Sequence, residues 1–520
     1  GGFNYQTAIQ YDSNEGKHIY GLPTNVTVTG SDGKIYHRVT ATYDMNYADH
    51  ITQIRQQLDN DEAVSDYTYD AYGNITKITL PANDKGQRMW YSYRYELKMN
   101  MYVERIEDAF GYRSEASNFD YRYGMALRRM DLNHYYYETD IDNLGRVKAV
   151  RGPNELATGQ PYIIAFDYHP KATFDTNGIT APAYAVTKHY DSQHPNDDLE
   201  TVTFVDGFGR TVQVKKDGVI TTAAKGSAPK DETVMIVSGR NIYDAFGRVA
   251  KAYYPVTEAV GSKTDFNKTF DNVSPTVMVY DVLDRAMKVT LPDNAETKTE
   301  YSTDAGSNTL VTTITDALGN RQATYTKGSG KTVKSEQLSG PDGTITTSFE
   351  YDGIDRLVKV TDTEGNVTTS VYDMGDRRTE VNHPASGVTT FTYDALGNVL
   401  TKQTANLKQE GKSINYEYDY GRLTAINYPD HPENNVKYHY GGIHSSYNRI
   451  GRLMLREDGS GAIEYYYGKM GEVTKTVRTL IVPNQAVATY VTQWKYDSHN
   501  RLLEMIYPDE EKVTYGYNLG

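Results

Sequence analysis

Residues 243–255 read YDAFGRVAKAYYP, a pattern that predicts two turns with one short strand between them. Asp244 can accept hydrogen bonds from backbone N–H groups that follow it, and Gly247 can take the left-handed conformation that closes a type I turn with a bulge. Pro255 fixes φ at the start of the second turn. The segment between the two turns has the length of an ordinary strand. We therefore expect an antiparallel hairpin unit.

The same turn pattern recurs along the chain, eleven times in all. The other copies occupy residues 69–74, 141–146, 205–210, 280–285, 315–320, 351–356, 372–377, 393–398, 418–422 and 496–501. In six of the eleven copies a Pro follows the Asp at a distance of 11 residues, and where the turn is one residue shorter it follows at 10. The strand between the turns thus keeps its length. This repetition predicts a long meander of hairpins, and its irregular spacing favours a strip over a regular solenoid or propeller.

We predict that the repeated side chains of these turns are structural. The Asp residues hold the turns, the Tyr rings pack across neighbouring strands, and the Arg forks bond turn carbonyls or nearby Asp residues. The predicted structural residues are Tyr69, Asp70, Gly73, Asp142, Gly145, Arg146, Asp206, Gly209, Arg210, Tyr243, Asp244, Gly247, Arg248, Tyr280, Asp281, Arg285, Tyr351, Asp352, Arg356, Tyr372, Asp373, Tyr393, Asp394, Gly397, Tyr418, Asp419, Gly421, Arg422, Tyr496, Asp497 and Arg501. The residue eight positions after each Asp is usually apolar, as at Val289, Val360 and Met505, and we expect it to face a packed layer.

The composition of the 520 residues supports an all-β fold. There are 47 Tyr and 43 Gly but only 12 Phe and 2 Trp, which favours strands and turns. The absence of Cys excludes disulfides, thiolate zinc sites and cysteine nucleophiles. The net charge of −14, without a Lys/Arg block, argues against nucleic acid as the main partner. No apolar run is long enough for a membrane-spanning helix.

The chain divides into two parts on the basis of the repeats. Residues 1–42 form weakly repetitive lead-in strands, and residues 43–520 form the repeat region. The last residues, from Tyr517 onward, read YNLG and fall inside what looks like the next copy of the turn. We expect the sequence to be a fragment that ends within a repeat.

The sequence predicts no catalytic, cofactor-binding or metal-binding residues. The pairs His189/His194 and His439/His444 lack the spacing that places two imidazoles on one helix face. Clusters of Tyr could stack on sugar rings, and Tyr136 and Tyr465 are candidate glycan contacts. Stacking of Tyr across neighbouring strands is the structural alternative, and we favour it.

The tyrosine–aspartate turns, with their second Pro-Asp turns, resemble the YD repeats of RHS-repeat proteins. That family includes the shell components of bacterial toxin complexes, wall-associated and polymorphic toxins, and the teneurins. Residues 205–218, VDGFGRTVQVKKDG, are similar to segments of the toxin-complex branch. The resemblance covers residues 43–520 and implies a long antiparallel β-hairpin strip that spirals into a hollow shell. It also implies a protein that is secreted or displayed at the cell surface.

The resemblance implies a structural function. In bacterial relatives such a shell encloses a variable C-terminal toxin domain, so we expect this chain to enclose, carry or present an effector on the same natural polypeptide. No segment of this sequence is recognisable as the self-cleaving segment that many relatives contain. The alternative is a cell-surface adhesion module that binds a glycan or a receptor through Tyr clusters and loops. A self-cleaving or glycan-degrading enzyme is a third, less favoured alternative.

Overall fold

The computed structural model describes residues 5–30, 32–45, 50–175, 178–223, 225–268, 274–340 and 343–519. Within these ranges the protein is built almost entirely of antiparallel strands, so the predicted all-β fold class is confirmed. Only two short α-helices interrupt the described strands, α1 (Pro153–Thr158) and α2 (Ala405–Gln409). None of the described helices is long and apolar enough to cross a membrane.

The strands are short and follow one another closely, as the repeat predicts. The first nineteen are β1 (Tyr5–Asn14), β2 (Ile19–Gly30), β3 (Ile35–Tyr43), β4 (Ile51–Gln57), β5 (Glu62–Tyr69), β6 (Ile75–Ala82), β7 (Arg88–Tyr95), β8 (Val103–Asp108), β9 (Arg113–Asp120), β10 (Met125–Met130), β11 (Tyr136–Ile141), β12 (Val147–Arg151), β13 (Ile164–His169), β14 (Thr173–Asp175), β15 (Gly178–Ala181), β16 (Ala183–His189), β17 (Leu199–Val205), β18 (Thr211–Thr222) and β19 (Lys230–Ser238).

The remaining strands continue in the same manner to the end of the described chain. They are β20 (Asn241–Tyr243), β21 (Val249–Ala252), β22 (Val256–Glu258), β23 (Thr276–Tyr280), β24 (Ala286–Thr290), β25 (Glu296–Asp304), β26 (Thr309–Thr315), β27 (Arg321–Thr326), β28 (Thr332–Gly340), β29 (Gly343–Tyr351), β30 (Leu357–Thr361), β31 (Val367–Tyr372), β32 (Arg378–His383), β33 (Gly387–Tyr393), β34 (Val399–Gln403), β35 (Ile414–Asp419), β36 (Arg422–Asn427), β37 (Val436–Tyr440), β38 (Leu453–Asp458), β39 (Gly461–Tyr467), β40 (Val473–Leu480), β41 (Ala488–Tyr496), β42 (Leu502–Ile506) and β43 (Lys512–Thr514).

The strands form one ribbon in which most strands pair with their neighbours in sequence, and the exceptions are the pairs β13–β16, β19–β22 and β21–β23. One sheet contains β1–β13, β16–β19 and β22, the other contains β20, β21 and β23–β43, and β14 pairs with β15 alone. The two large sheets are continuous because two successive stretches of chain belong to both of them. The chain runs from β19 directly into β20, and then from β21 into β22; β20 pairs with β21, and β19 pairs with β22. The sequence boundary between residues 42 and 43 falls inside β3, so the sheet has no break there, and the two-part division stays a prediction.

The ribbon has two edges that carry different turns. Because the strands are antiparallel, successive turns alternate between the edges. We name one the YD edge, since it carries the turns that begin at Asp70, Asp244 and Asp497, and the other the plain edge. Pro-Asp turns such as the one at Pro292 lie on the plain edge, as alternating turns require. The copy at residues 315–320 is an exception, because it connects β26 to β27 on the plain edge.

The buried core is small and lies near the junction of the two sheets. Val202 and Phe204 of β17 are fully buried, and the ring of Phe266 approaches Phe204 to 5.5 Å. Elsewhere the ribbon is one sheet thick. Val289 and Met505, which the sequence places against a packed layer, are therefore only half-buried. No second sheet is stacked on these strands, so their side chains pack sideways along the ribbon.

Candidate functional site

Each YD turn is held by its own aspartate. The Asp244 Oδ1 accepts hydrogen bonds from the backbone N–H groups of Phe246 at 2.9 Å and Arg248 at 3.0 Å. Its Oδ2 accepts a third bond from Arg248 Nε at 2.7 Å. The same set of bonds occurs at Asp142, Asp206, Asp281, Asp352, Asp373 and Asp497. In the turns of Asp70 and Asp394, an Asn four residues after the Asp takes the place of the Arg.

The fourth residue of these turns takes the left-handed conformation, as the motif predicts. Its φ is 82° at Gly247, and it is similarly positive at Gly73, Gly145, Gly209 and Gly397. Where the motif lacks glycine, Asp or Asn adopts the same conformation, as at Asp284, Asp355, Asp376 and Asn500. These residue types tolerate positive φ because their short polar side chains bond locally. In the shortened turn, Tyr420 takes this conformation at 53° and Gly421 does not.

Tyrosine and arginine lock each hairpin to the next one. The Tyr372 hydroxyl donates a 3.0 Å hydrogen bond to the carbonyl of Leu357, the residue that follows Arg356. The Arg356 guanidinium lies over the Tyr372 ring, 5.0 Å from its centroid. A Tyr therefore ties its own turn to the preceding one and provides a ring for the preceding Arg. We call this arrangement the lock.

The lock recurs along the whole ribbon. The hydroxyls of Tyr69, Tyr243, Tyr280, Tyr351 and Tyr393 donate to carbonyls of Ile51, Thr211, Val249, Thr332 and Arg378, respectively. The guanidinium groups of Arg146, Arg210, Arg248, Arg285, Arg377, Arg422 and Arg501 lie over the next Tyr ring. Among the described hydrogen bonds, Tyr418 and Tyr496 lack this hydroxyl bond. Tyr517 makes it to Leu502, at 2.8 Å.

Two layers of the ribbon meet edge to edge. The first layer, β1–β19, places its plain edge against the YD edge of the second layer, β29–β43, and we call this contact the seam. Hydrogen bonds across it join residues that are 310 to 343 positions apart. Tyr36 contacts the turn at Gly353 at one end, and Gln193 bonds the backbone of Tyr515 and Tyr517 at the other, each at 2.8 Å. One layer of the spiral therefore contains 310 to 343 residues.

The plain edge supplies acceptors and aromatic rings to the turns of the YD edge. Arg422 lies over the ring of Phe110 at 3.4 Å and donates to the Tyr112 hydroxyl at 2.9 Å. Asp419 does not cap its own short turn in the usual manner; instead it accepts a hydrogen bond from Gln87 across the seam at 3.1 Å. Gln87 also accepts the backbone N–H of Tyr420. These contacts satisfy polar groups that would otherwise point out of the ribbon.

The most buried ion pair of the seam joins Asp191 to Arg501. Asp191 is fully buried, and Arg501 Nη2 donates to it at 2.6 Å. Burial alone would raise the pKa of Asp191, but hydrogen bonds from Arg501, His194 and the Gln193 backbone outweigh it and lower this pKa to about 2. Arg501 also holds Asp497 in its own turn, so one side chain links the repeat to the layer above.

A histidine pair lies next to this ion pair. The rings of His189 and His499 are 4.5 Å apart across the seam. Burial, and then the neighbouring His499, lower the pKa of His189. The Nδ1 atom of His189 is buried and has no hydrogen-bond partner among the described residues. His194, in contrast, bonds Asp191 at 2.9 Å.

The two candidate glycan contacts are not brought together. Tyr136 lies in β11, and the Arg128 guanidinium covers its ring at 4.0 Å. Tyr465 is half-buried in β39, where its carbonyl accepts a hydrogen bond from Arg449. The groove beside β39 is lined by Tyr447, Tyr466 and Tyr467 but not by Tyr465. Neither residue contributes to a shared aromatic surface, and a glycan or receptor partner is not supported.

The described residues contain no group of three or more His, Asp or Glu side chains that could hold a metal ion. His439 is 3.7 Å from Glu457, and both side chains are largely exposed. One fully buried charged side chain lies near the core: Lys215, which forms an ion pair with Glu258. Glu200 pairs with Lys263 beside it. These pairs hold the segment after β22 against β17 and β18.

The residues of the seam on the plain edge were not found from the sequence. Asp191 and Gln87 belong to none of the eleven copies of the repeat, and each contacts a different turn of the second layer. Tyr112, which bonds Arg422 across the seam, is the last residue of a segment that resembles the repeat. The only available signal was the segment IEDAFGY at residues 106–112, which has the form of a YD turn but lies on the plain edge.

Comparisons with known proteins agree with this geometry. The RHS repeat family matches residues 351–387, and a domain family of unknown function, DUF6443, matches residues 179–302. None of the curated proteins searched matches the chain. The resemblance to RHS/YD-repeat proteins is confirmed, since the matched repeat contains the turns of Asp352 and Asp373.

Solved structures share the fold at low sequence identity. A crystal structure of TcdB2-TccC3 matches with a TM-score of 0.80 and 14% identity, over 99% of this chain and 32% of that chain. The form without the hypervariable C-terminal region matches with a TM-score of 0.78, and the Photorhabdus luminescens Tc holotoxin pore with 0.77, each at 14% identity over 99% of this chain and 34% of that chain. The chain thus spans about a third of the length of these proteins and has the fold of their β-shell.

Proposed function

We propose that this chain is a non-enzymatic wall segment of a secreted RHS-repeat shell, which encloses, carries or presents a C-terminal effector of the same natural polypeptide. The seam is the observation that carries the proposal. It joins two layers of one ribbon edge to edge, from Tyr36 against Gly353 to Gln193 against Tyr517. A ribbon that closes on itself in this way forms a wall, and a wall separates an inside from an outside.

The construction of the ribbon suits a barrier. Backbone groups within the ribbon are paired from strand to strand, and at the seam the turns of the second layer are covered by turns of the first layer. The lock adds one hydroxyl bond and one stacked guanidinium per hairpin, as between Tyr372, Leu357 and Arg356. Such a wall needs neither disulfides nor a thick core. This fits a chain without Cys and with few fully buried apolar side chains.

The similar solved structures favour an effector as the enclosed partner. One of them is TcdB2-TccC3 without its hypervariable C-terminal region, so the complete form of that protein carries such a region. We infer that the natural polypeptide to which this chain belongs carries a segment of this kind. A catalytic role is not needed for this function, and the motif aspartates already hold turns, as Asp244 does, or seam contacts, as Asp419 does.

Protease protection tests this function. An unfolded reporter peptide fused after Gly520 should be cleaved more slowly than the same peptide fused before Gly1, because the first is held against or within the wall. The Arg501→Ala variant, which weakens the seam, should raise the cleavage rate of the C-terminal reporter and leave the N-terminal one unchanged. Equal cleavage of both reporters in the unmodified chain would count against an enclosing role.

A further inference from the structure

A groove of about 440 Å³ crosses one face of four adjacent strands, β39 to β42. The strand register places a row of its lining side chains on that face. Lys475 of β40 lies opposite Tyr466 of β39 and opposite Gln493 of β41. Gln493 in turn lies opposite Ile506 of β42, and directly opposite residues share a face. The groove therefore runs across the wall from an aromatic end, past a lysine, to an apolar end.

The aromatic end is formed by a backbone conformation that tyrosine rarely adopts. Tyr447 and Asn448 have φ values of 60° and 56°, and Tyr447 is 61% exposed. Bulky side chains avoid positive φ, and such strain persists where other contacts hold it, often at binding sites. Asn448 makes these contacts, because it bonds the Tyr135 hydroxyl across the seam at 3.0 Å and the Tyr467 carbonyl at 2.9 Å. The strained turn presents the Tyr447 ring to the groove, 5.0 Å from the Tyr466 ring and edge to face.

The groove carries positive charge that the described part of the chain does not neutralise. Within that part Lys475 forms no ion pair, and its ammonium group lies over the ring of Tyr466, 4.1 Å from the centroid. The two carboxylates beside the groove already have closer cations, in the pairs Glu464–Arg449 at 2.8 Å and Glu504–Lys512 at 2.5 Å. Lys495 approaches the second carboxylate only to 3.9 Å and is 71% exposed. In a protein with a net charge of −14, this groove is a local site for an anionic group.

We propose that this groove binds an extended acidic segment of a partner polypeptide. Carboxylates of the segment pair with Lys475 and Lys495, and an apolar or aromatic side chain packs on the exposed ring of Tyr447. The side chain of Gln493, which is exposed between the two lysines, bonds backbone amides of the segment. From β39 to β42 there are three strand spacings, about 14 Å, which an extended chain covers in about four residues. A small inorganic anion would meet only the lysines, whereas this segment also uses the aromatic and apolar ends.

Fluorescence anisotropy of a labelled peptide with the 520-residue chain tests the proposal. The peptide Gly-Phe-Asp-Leu-Glu-Gly amide, which carries fluorescein at its N-terminus, should bind. Replacing its Asp and Glu by Asn and Gln should weaken binding by about tenfold, because two lysines lose their charged partners. High salt should weaken binding of the acidic peptide, as expected for exposed ion pairs. The proposal is overturned if the acidic peptide does not bind, or if the two peptides bind equally well.

Variants of the chain locate the binding site. Lys475→Glu reverses the charge at the centre of the groove and should weaken binding of the acidic peptide by about tenfold or more. Tyr447→Asn removes the ring but keeps a residue type that tolerates left-handed backbone, so binding should weaken by about threefold or more while the turn is kept.

Lys359→Glu is the matched control, because Lys359 is also a half-buried strand lysine but lies in β30, outside the groove. It should leave binding of the acidic peptide unchanged. Circular dichroism checks that the variants are folded, and Lys475→Gln replaces Lys475→Glu if that variant is not. Binding that neither the Lys475 variant nor Tyr447→Asn weakens, or that Lys359→Glu weakens equally, would contradict the assignment of the peptide to this groove.

Discussion

Among the described residues, the YD edge exists in two states: no second layer covers it from the turn of Asp70 to that of Asp281, and it is docked from Asp352 to Asp497. The local geometry is the same in both. The Arg Nε to Asp Oδ2 distance is 2.7 Å at Asp281 and 2.7 Å at Asp497. The surroundings differ, since the Asp497 side chain is 1% exposed and the Asp281 side chain 17%.

This comparison separates two kinds of stabilisation. The lock acts along the ribbon, within a layer, and it needs only neighbouring hairpins. The seam acts between layers and desolvates turns that are otherwise at the surface. Removing a group from a seam turn leaves a buried partner without its hydrogen bond, and that loss is costly. Removing the same group from a free turn lets water take its place.

The largest expected effect separates Arg501 from Arg285. Arg501→Ala leaves the buried Asp191 carboxylate without its main partner, so we expect a loss of about 3 kcal/mol in the local opening free energy of the seam. Arg285 makes the same bond to its own Asp281 and stacks on Tyr301. Hydrogen exchange of β16–β17 and β41–β42 measures the first variant, and that of β23–β24 the second.

Arg285→Ala is the matched control, and its effect should be much smaller and confined to its own hairpin. Equal changes in hydrogen exchange for the two variants would show that the cross-layer partner adds nothing, and the distinction between docked and free turns would fail.

The next effect should be the same in both states. Tyr372→Phe on the docked edge and Tyr280→Phe on the free edge each remove one hydroxyl bond, of 3.0 Å and 2.9 Å. Since the lock lies within a layer, each variant should lose about 1 kcal/mol of local stability. Hydrogen exchange at the carbonyl-bearing strands, β30 and β21, measures the loss. A loss several times larger at Tyr372 would mean that the lock also supports the seam.

The smallest expected effect is a pH dependence restricted to one end of the seam. His189 has a pKa below its ordinary 6.5, so the undocked state binds a proton more readily than the docked state. The contribution of the His189–His499 contact to the stability of the seam is therefore full above pH 6.5 and declines as the pH falls below that value. Asp191, with a pKa of about 2 against an ordinary 3.8, contributes fully above 3.8 and loses its contribution only towards pH 2.

Hydrogen exchange of the turn between β16 and β17, corrected for intrinsic rates, should accordingly increase when the pH falls from about 7 to about 5. His499→Gln removes the facing imidazole and should reduce this increase, while His439→Gln, outside the seam, should not. A uniform increase in hydrogen exchange over the whole ribbon would show that the net charge of the protein, and not the His189–His499 contact, causes the pH dependence.

The sequence predicted the fold class and the local geometry of the turns. The bonds made by Asp244 and the positive φ of Gly247 follow from the motif, because all the atoms involved lie within five residues. The edge on which a turn lies did not follow. Residues 315–320 have the motif, yet their turn lies on the plain edge. The motif fixes the geometry of one turn, whereas the edge on which the turn lies depends on the number of strands that precede it.

Burial was the property that the local pattern described least well. Val289 and Met505 were expected against a packed layer and are half-buried, since a single ribbon has no facing sheet. Seam residues such as Asp191 were missed because a contact over 310 residues depends on where the ribbon returns. The residue that lies opposite Asp191 depends on the lengths and twists of all the hairpins between the two layers, and no single repeat encodes it.

By itself, the sequence determined what happens within one hairpin: where the chain turns, which aspartate holds the turn, and where a glycine takes the left-handed backbone. These features rest on short-range bonds whose partners are fixed by the spacing of the motif. The tertiary structure alone decided which copies of the same turn are covered and which remain open. The physical reason is that covering depends on the circumference of the spiral, and that length is a property of the whole ribbon.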